Sequence, residues 1–381
     1  MRESVTNDLV EWDNIKDHRT GSPGDTKTAR WLASRIQDAG AQAALQAFAF
    51  TRRVPGDCFV CDGQFRAPGL PLFDGGTTGD GAITGECGPL GSGAAVGVTG
   101  FAPFPGHPDS QALLRARQKA EHQAIVAYAN AETVAPGLAV LNAPRYNNPH
   151  HLPVLQVSSE YGSVLENAAT HQKPLRIQVA FTESRETVYN VEVRLAGRRP
   201  DLRPLVVMTP RSAWWTCTSE RGGGITIWLQ AIRHFAANQP DRDIIFTANT
   251  GHELGHLGLE HFIAQNPALI AQAHAWVHLG ANFAAAGGAP RLQVSDETLL
   301  QMCTSAFREQ QVDVPDLTPP GTRPRGEAYN VFDGGGRYVS LLGGNPLFHH
   351  PEDRWPEAID LPKTVALSRS MLTVITTLSR V

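Results

Sequence analysis

The sequence predicts an α/β fold with a mostly parallel sheet and helices on both faces. From residue 187 onward, apolar runs typical of buried strands alternate with helical patterns, and this alternation is typical of that fold class. The chain has 381 residues, 41% hydrophobic and 18% charged, which indicates a globular protein with room for one large and one smaller domain. Functional residues of such sheets collect at the carboxyl ends of the strands.

The composition argues against several classes of partner. A net charge of −4 does not favour nucleic acid or an acidic membrane. No apolar run reaches the roughly 18 residues that cross a bilayer, and the N-terminus has no apolar signal-peptide core. The five cysteines lack disulfide-framework spacing, which favours reduced thiols and a cytoplasmic location. We expect a small-molecule or peptide-like substrate and no nucleic-acid or membrane partner, and leave open whether the chain forms a homo-oligomer.

Residues 1–66 and 187–381 supply the elements of the large domain. Apolar residues at helical spacing, ended by Gly40, predict a helix at 26–39, and residues 44–50 predict a strand. The later predicted strands lie at 188–195, 204–208, 243–248, 274–279 and 339–342, and the later predicted helices at 225–237, 257–264 and 362–378.

Residues 67–186 differ from the rest of the chain. Glycine-rich turns at 75–81 and 88–106 separate short apolar runs, a pattern typical of a small β-rich domain inserted into a larger one. We predict no catalytic residue in this part. Its predicted elements are helices at 112–121 and 163–170 and strands at 124–128 and 152–157.

The turn after one buried strand carries a cluster of polar side chains. The β-branched and aromatic run from Ile244 to Phe246 leads into Thr250-Gly251, which predicts a strand that ends at a turn. Five side chains able to bind a metal or move a proton follow at once: His252, Glu253, His256, Glu260 and His261. The sequence therefore places candidate chemistry at the end of this strand.

One interpretation of this turn is the zincin motif. In that motif, which His252-Glu253-x-x-His256 matches, two histidines on one helix hold zinc beside a glutamate base. The motif must lie within a helix, but here it follows a strand and contains or adjoins glycines that each cost a helix about 1 kcal/mol. Gly258 and His261 also fall one residue too early for the extended zincin pattern, so this interpretation is the weaker one.

A second interpretation covers nearly the whole chain. The strand followed by Gly251-x-Glu253-Leu254-Gly255 resembles the Glu-Glu-Leu-Gly segment of the co-catalytic zinc aminopeptidase family, which also contains glutaminyl cyclases and non-catalytic members. The opening Arg19-x-Gly21-Ser22-x-Gly24, followed by a helix and a strand, resembles the start of many chains of this family. The β-rich insert resembles the protease-associated domain that many of them contain.

Carried over residue by residue, the resemblance implies a metal site with changed ligands. Glu220 stands at the position of the metal-bridging Asp, Glu253 at a metal-ligand position, and His349, four residues before Asp353, at that of the last His ligand. This set implies one divalent ion, zinc in the family, with an open position, as in glutaminyl cyclases.

The chain also departs from the family at four positions. Pro210 and Ser212 stand where the family has a His and an Asp, so one of the two metal sites has lost a ligand. His252 takes the place of the general base, and an imidazole with a pKa near 6.5 can accept a proton near neutral pH. His278 occupies the place of another Asp ligand; it either completes a changed metal site or is a core histidine.

Four further residues are predicted to border the substrate. Trp214 and Trp215 follow the strand that ends at Pro210 and either stack on a substrate or pack in the protein. Arg211 and Arg221 flank the same region and either bind a substrate carboxylate or form structural ion pairs.

The resemblance implies a metal-dependent hydrolase that cleaves an amide or peptide bond of a small substrate. The lost ligands and the changed base imply divergence from ordinary aminopeptidases. Two alternatives use the same scaffold: cyclase or lyase chemistry on the single-metal site, and a non-catalytic family member used for assembly.

Overall fold

The computed structural model describes residues 1–104 and 106–380. The helices are α1 (Arg2–Asp13), α2 (Pro23–Asp38), α3 (Pro108–Lys119), α4 (Gly162–Thr170), α5 (Gly223–Ala237), α6 (Leu257–Gln265), α7 (Leu269–Gln272), α8 (Glu297–Glu309), α9 (Ala328–Asp333) and α10 (Leu361–Ser379). The strands are β1 (Ala44–Pro55), β2 (Phe59–Cys61), β3 (Arg66–Pro71), β4 (Ile83–Pro89), β5 (Val96–Phe101), β6 (Ala124–Ala129), β7 (Val154–Val157), β8 (Pro174–Gln178), β9 (Phe181–Leu195), β10 (Leu205–Pro210), β11 (Ile244–Asn249), β12 (Ala275–Leu279), β13 (Pro290–Val294), β14 (Asp316–Thr318) and β15 (Tyr338–Gly343).

The large sheet has eight strands and is mixed. Its order is β1-β9-β11-β10-β12-β15-β13-β14. Four pairings are parallel, β10 with β11, β10 with β12, β12 with β15, and β13 with β14. The other three are antiparallel, so the sheet is mixed and the predicted parallel arrangement holds for its central strands only. The parallel character is concentrated at the centre, where β10, β11, β12 and β15 end at the same edge.

Helices cover both faces of this sheet, because successive apolar side chains of the central strands point to opposite faces. Leu205 and Val207 of β10 point to the core that contains α1, α2, α5, α8 and α10. Val206 and Met208 point to the opposite core, which contains α6, α7 and α9. Because the central strands are apolar on both faces, only their ends can expose polar side chains.

A second β structure lies between β1 and β9 in the chain. Strands β2 to β8 form a closed barrel in the order β2-β3-β7-β6-β5-β4-β8. The barrel is carried by the long antiparallel pair β1 and β9, whose residues pair from Ala44 with Glu192 to Pro55 with Phe181. The barrel has its own apolar core, built from residues such as Val126, Leu155 and Ile177.

All five cysteines lie within the described residues and are free thiols. No helix in the described part of the chain combines the length and the apolar character needed to cross a membrane.

A buried histidine in the N-terminal region predicts acid sensitivity. His18 is fully buried, stacks on Trp12 with 3.7 Å between ring centroids, and bonds Thr28 Oγ1 at 2.8 Å. Burial lowers the pKa of His18 from its ordinary value to about 3. Between pH 6.5 and about 3 the unfolded chain therefore binds a proton that the folded chain does not, so stability falls as the pH falls.

We expect His18→Gln to weaken this pH dependence by up to about 1.4 kcal/mol per pH unit within that window. The measurement is the free energy of unfolding in urea at several pH values from about 4 to 7, for both proteins. Equal slopes for the two proteins would contradict the assignment.

Candidate active site

The turn after β11 is fixed by backbone conformations that favour glycine. Gly251 and Gly255 have φ angles of 75° and 89°, on either side of the single 3₁₀ turn His252–Leu254. A Cβ on Gly255 would lie 2.6 Å from the carbonyl oxygen of Pro144. The turn is therefore held against a segment between β6 and β7.

This geometry contradicts the zincin interpretation. Helix α6 begins only at Leu257, and His256 has a φ angle of 60°, so His252 and His256 do not lie on one helix. Their rings stack on each other with 4.7 Å between centroids. His256 Nδ1 bonds Asn330 Oδ1 at 2.8 Å, and His261 stacks on Phe48. The glycines that weaken a helix here are the residues that build the turn.

Glu253 is buried and both of its carboxylate oxygens have partners. Oε2 accepts a hydrogen bond from Ser212 Oγ at 2.6 Å, and Oε1 accepts one from Arg221 Nη2 at 2.8 Å. Ser212 Oγ itself accepts from the backbone N–H of His252 at 3.2 Å. Both oxygens of Glu253 are therefore engaged by protein groups, and its role as a metal ligand stays a prediction.

Arg221 is the centre of this network. It lies in a π-helical turn, Thr218–Gly222, and its side chain is 1% exposed. Nη2 lies 2.8 Å from Glu220 Oε1 as well as from Glu253 Oε1, and Nε donates to the carbonyl oxygen of Ser212 at 2.8 Å. Burial is the largest single effect and would raise the carboxyl pKa values, but Arg221, His349 and Cys217 together outweigh it and lower the pKa of Glu220 to about 2. Arg221, His252 and the Ser212 hydrogen bond together lower the pKa of Glu253 in the same way, so both glutamates are ionised.

Glu220 and His349 present free ligand atoms to each other. His349 Nδ1 bonds the carbonyl oxygen of Val140 at 2.7 Å, which directs Nε2 to a point 3.5 Å from Glu220 Oε1. Within the described ranges, His349 Nε2 and both Glu220 oxygens lack a hydrogen bond of good geometry, although Glu220 Oε1 also lies 2.8 Å from Arg221 Nη2 in the ion pair. Unpartnered buried polar atoms are costly, so a bound group is expected here.

Cys217 and Asp353 lie beside Glu220. Ligand atoms of these three buried residues lie within 4.8 Å of one another, the only such group of three found in the described residues. Asp353 accepts hydrogen bonds from the backbone N–H groups of Ser219 and Glu220 at 2.7 and 3.0 Å, and burial raises its pKa to about 7. Burial also raises the pKa of the Cys217 thiol well above its ordinary value. Carboxylate, imidazole and thiol groups are zinc ligands, so the residues around Glu220 and His349 fit one divalent ion.

His278 does not join this group. It is fully buried in β12, and its Nδ1 bonds Ser340 Oγ at 2.9 Å. Its Nε2 has no hydrogen-bond partner in the part of the chain that the structure describes. Burial lowers the pKa of His278 well below its ordinary value, so the ring is neutral. Both predicted roles of His278, metal ligand and core histidine, therefore stay predictions.

His252 is paired with a glutamate that no sequence motif indicates. Its Nδ1 lies 3.2 Å from Oε1 of Glu327, whose side chain is fully buried. Burial and the charge of Arg221 lower the pKa of His252 well below its ordinary value, while burial raises the pKa of Glu327 to about 7. The His252 side chain is 10% exposed, so a neutral imidazole reaches solvent next to the buried carboxylates.

The other predicted substrate residues have protein partners. Arg211 is fully buried and bonds Asp25 Oδ1 at 2.8 Å, so of its two predicted roles the structure favours the ion pair over a substrate carboxylate. Trp215 Nε1 donates a hydrogen bond to the carbonyl oxygen of His349 at 2.9 Å. Trp215 therefore helps to position His349. Trp214 stacks on Phe73 and lines a pocket that reaches Glu253, and its contact with a substrate stays a prediction.

A segment of the barrel unit closes the site. Residues 140–144 run across the strand ends, where Ala143 N–H donates to the carbonyl oxygen of Glu253 at 2.7 Å. Asn142 Oδ1 accepts from Trp214 Nε1 at 3.0 Å, and Val140 holds His349. No sequence pattern predicts this contact, because much of it is made by backbone groups in a region without regular structure.

This fold is that of a zinc aminopeptidase-like α/β protein. A zinc aminopeptidase from Bacillus subtilis is 15% identical, has a TM-score of 0.81 and covers 100% of this chain and 95% of its own. An aminopeptidase from Aneurinibacillus sp. strain AM-1 is 14% identical, with a TM-score of 0.74 and 100% and 94% coverage. A glutaminyl cyclase from Tannerella forsythia is 11% identical, with a TM-score of 0.54 and 99% and 98% coverage. These likenesses show the fold.

Sequence comparison points to the same family. The family model of Peptidase family M28 matches residues 220–374, which contain Glu220, His252, Glu253, His278 and His349. A vacuolar membrane protease from Lachancea thermotolerans is 28% identical over 116 residues, 29% of this chain and only 12% of that protein. The resemblance to the zinc aminopeptidase and glutaminyl cyclase family is therefore confirmed, and it supports peptide hydrolysis in general.

Proposed function

We propose that the protein is a metal-dependent hydrolase that cleaves an amide or peptide bond of a small substrate. The observation that carries the proposal is the pair of buried ligand side chains, Glu220 and His349, with free ligand atoms beside the neutral imidazole of His252. The family match of residues 220–374 supports the same reaction class.

One divalent ion, zinc by similarity to the aminopeptidase from Bacillus subtilis, would be held by Glu220 and His349 with Cys217 and Asp353 in reach. Such an ion polarises a carbonyl group and lowers the pKa of a bound water. In the protein, His252 takes the proton of the attacking water and passes it to the leaving nitrogen. Glu327, 3.2 Å from Nδ1, orients the imidazole.

Arg221 would bind an oxygen of the substrate. Its Nη1 is buried and has no hydrogen-bond partner among residues 1–104 and 106–380. A buried guanidinium N–H without an acceptor destabilises the protein by roughly 1–3 kcal/mol, and a substrate oxygen that accepts its hydrogen bond would remove this cost. Trp214 would border the substrate from the small pocket that it lines beside Glu253.

We propose that this activity differs from that of ordinary aminopeptidases. Pro210 has no side-chain ligand atom, and Ser212 donates its hydroxyl to Glu253. His252 stands in place of a carboxylate base. Cyclisation is the second candidate reaction, since a single-ion site and the fold shared with a glutaminyl cyclase are compatible with it. Assay of a peptide with an N-terminal glutamine separates cyclisation from hydrolysis by the products.

We also propose that residues 67–186 form an inserted domain similar to protease-associated domains, with 1–66 and 187–381 as the catalytic domain. The closed barrel of β2 to β8 supports this division, although β2 begins at Phe59, before the predicted boundary. The segment 140–144 gives the insert a role in closing the site. A cytoplasmic location and a small substrate stay predictions.

The test is metal content after dialysis, measured by plasma emission. We expect about one ion per chain in the wild type and its loss in Glu220→Gln and in His349→Ala, because these side chains carry the free ligand atoms. His350→Ala is the matched control: it removes an adjacent buried histidine whose Nε2 bonds the carbonyl oxygen of Pro136 at 3.1 Å, and it should keep the ion. Full metal retention in both ligand variants would refute the proposed site.

A further inference from the structure

We propose that the guanidinium group of Arg221 is a built-in cation that fills a second metal-binding position between Glu220 and Glu253. The inference deepens the proposed function, since it limits the site to one metal ion. It does not depend on that ion, because it concerns only the space between the two carboxylates.

One nitrogen atom bridges the two carboxylates. Arg221 Nη2 lies 2.8 Å from Glu220 Oε1 and 2.8 Å from Glu253 Oε1. A zinc ion that bridges two carboxylates lies about 2.0–2.2 Å from each oxygen. The oxygens would therefore need to move by less than about 1 Å each to bind an ion in place of the nitrogen.

The guanidinium cannot leave this position at low cost. The side chains of Glu220, Arg221 and Glu253 are 0%, 1% and 3% exposed. Nε is fixed by its bond to the carbonyl oxygen of Ser212 at 2.8 Å. Moving the cation away would leave two ionised carboxylates buried together, and an uncompensated buried charge is strongly destabilising. An added metal ion therefore cannot compete for this space while Arg221 is present.

Removal of the arginine should open this position to a metal ion. Arg221→Ala would leave a cavity lined by two carboxylate oxygens, with Ser212 Oγ holding the outer oxygen of Glu253 in place. Two fixed carboxylates in a buried space attract a divalent cation, because paired opposite charges offset the cost of burial. We expect Arg221→Ala to bind one more zinc ion per chain than the wild type.

The experiment counts zinc by plasma emission after dialysis of the purified full chain against zinc and then against buffer. Arg221→Ala should hold one ion more than the wild type. Added zinc should also raise the melting temperature of Arg221→Ala by more than it raises that of the wild type. Arg221→Lys keeps a cation and should match the wild type. Arg354→Ala is the matched control, since it removes the partner of a single carboxylate, Asp13, and should bind no additional zinc ion.

The outcomes separate this inference from the proposed function. Two ions in the wild type, or equal counts in the wild type and Arg221→Ala, would overturn the inference. No ion in the wild type and one in Arg221→Ala would refute the proposed metal site but support the built-in cation.

A second variant tests the inference if Arg221→Ala does not fold. Because both Glu253 oxygens bind Arg221 and Ser212 in the wild type, Glu253→Gln should leave the zinc count of the wild type unchanged. Loss of an ion in this variant would show that Glu253 is a metal ligand and that Arg221 does not fill its place.

Discussion

Replacing His252 with alanine should lower turnover of an amide substrate by about 10²–10⁴-fold while the metal content stays unchanged. The size of the effect is that of a positioned group that moves a proton in the transition state. The unchanged metal content follows from the position of His252, which is not among the residues with free ligand atoms around Glu220.

The surroundings of His252 support this role. Its pKa lies well below the ordinary value because of burial and the charge of Arg221, so the imidazole is neutral and one ring nitrogen carries a free lone pair. Nδ1 is within 3.2 Å of Glu327, and the ring stacks on His256. A ring held on two sides loses little freedom when the substrate binds, which favours proton transfer in one geometry.

Two variants are the controls for this prediction. His256→Ala removes the stacked ring but no group at the reaction, so a loss of less than about tenfold is expected. Glu327→Gln keeps the shape and the acceptor oxygen but removes the charge, so an intermediate loss is expected. Unchanged turnover in His252→Ala would exclude this residue as the proton carrier, and loss of metal would show that it is a ligand.

The strands at the centre of the fold can be predicted from the sequence because their apolar runs are continuous. Predicted strands at 204–208 and 243–248 correspond to β10 (Leu205–Pro210) and β11 (Ile244–Asn249). Strand direction cannot be predicted in the same way, since β13 runs antiparallel to β15 and no local pattern encodes that choice. Helix α1 is missing from the predicted elements although its buried residues Val5, Leu9 and Trp12 recur at helical spacing, so this helix could have been predicted from the sequence.

In the candidate site, the residues that follow strands can be predicted and their partners cannot. The motif around Glu253 and the late His349 place both residues beyond strand ends. The contact between Arg221 and Glu253 joins residues 32 positions apart, and that between His252 and Glu327 joins residues 75 apart. Glu327 follows Gly326 in a loop without any motif. Such contacts depend on the packing of the whole sheet, which periodicity does not describe.

Arg211→Ala should destabilise the protein by about 3–5 kcal/mol, the cost of removing one partner of a buried ion pair. Arg211 and Asp25 are 0% and 1% exposed in their side chains. Arg211 Nη1 bonds Asp25 Oδ1 at 2.8 Å, and its other nitrogens bond the carbonyl oxygen of Tyr189. The same carboxylate accepts from Thr250 Oγ1 at 2.9 Å, which ties helix α2 to the turn after β11.

The measurement is urea unfolding monitored by tryptophan fluorescence, with Arg199→Ala as the control. Arg199 and Asp201 form a pair at 2.8 Å that is largely exposed, so its loss should have little effect on stability. Burial already raises the pKa of Asp25, and without Arg211 the largest opposing charge is gone. Protonation of Asp25 removes the unpaired charge, so the difference between wild type and Arg211→Ala should shrink as the pH is lowered from about 7 to 4. A constant difference across that range would show that lost packing, and not the buried charge, causes the destabilisation.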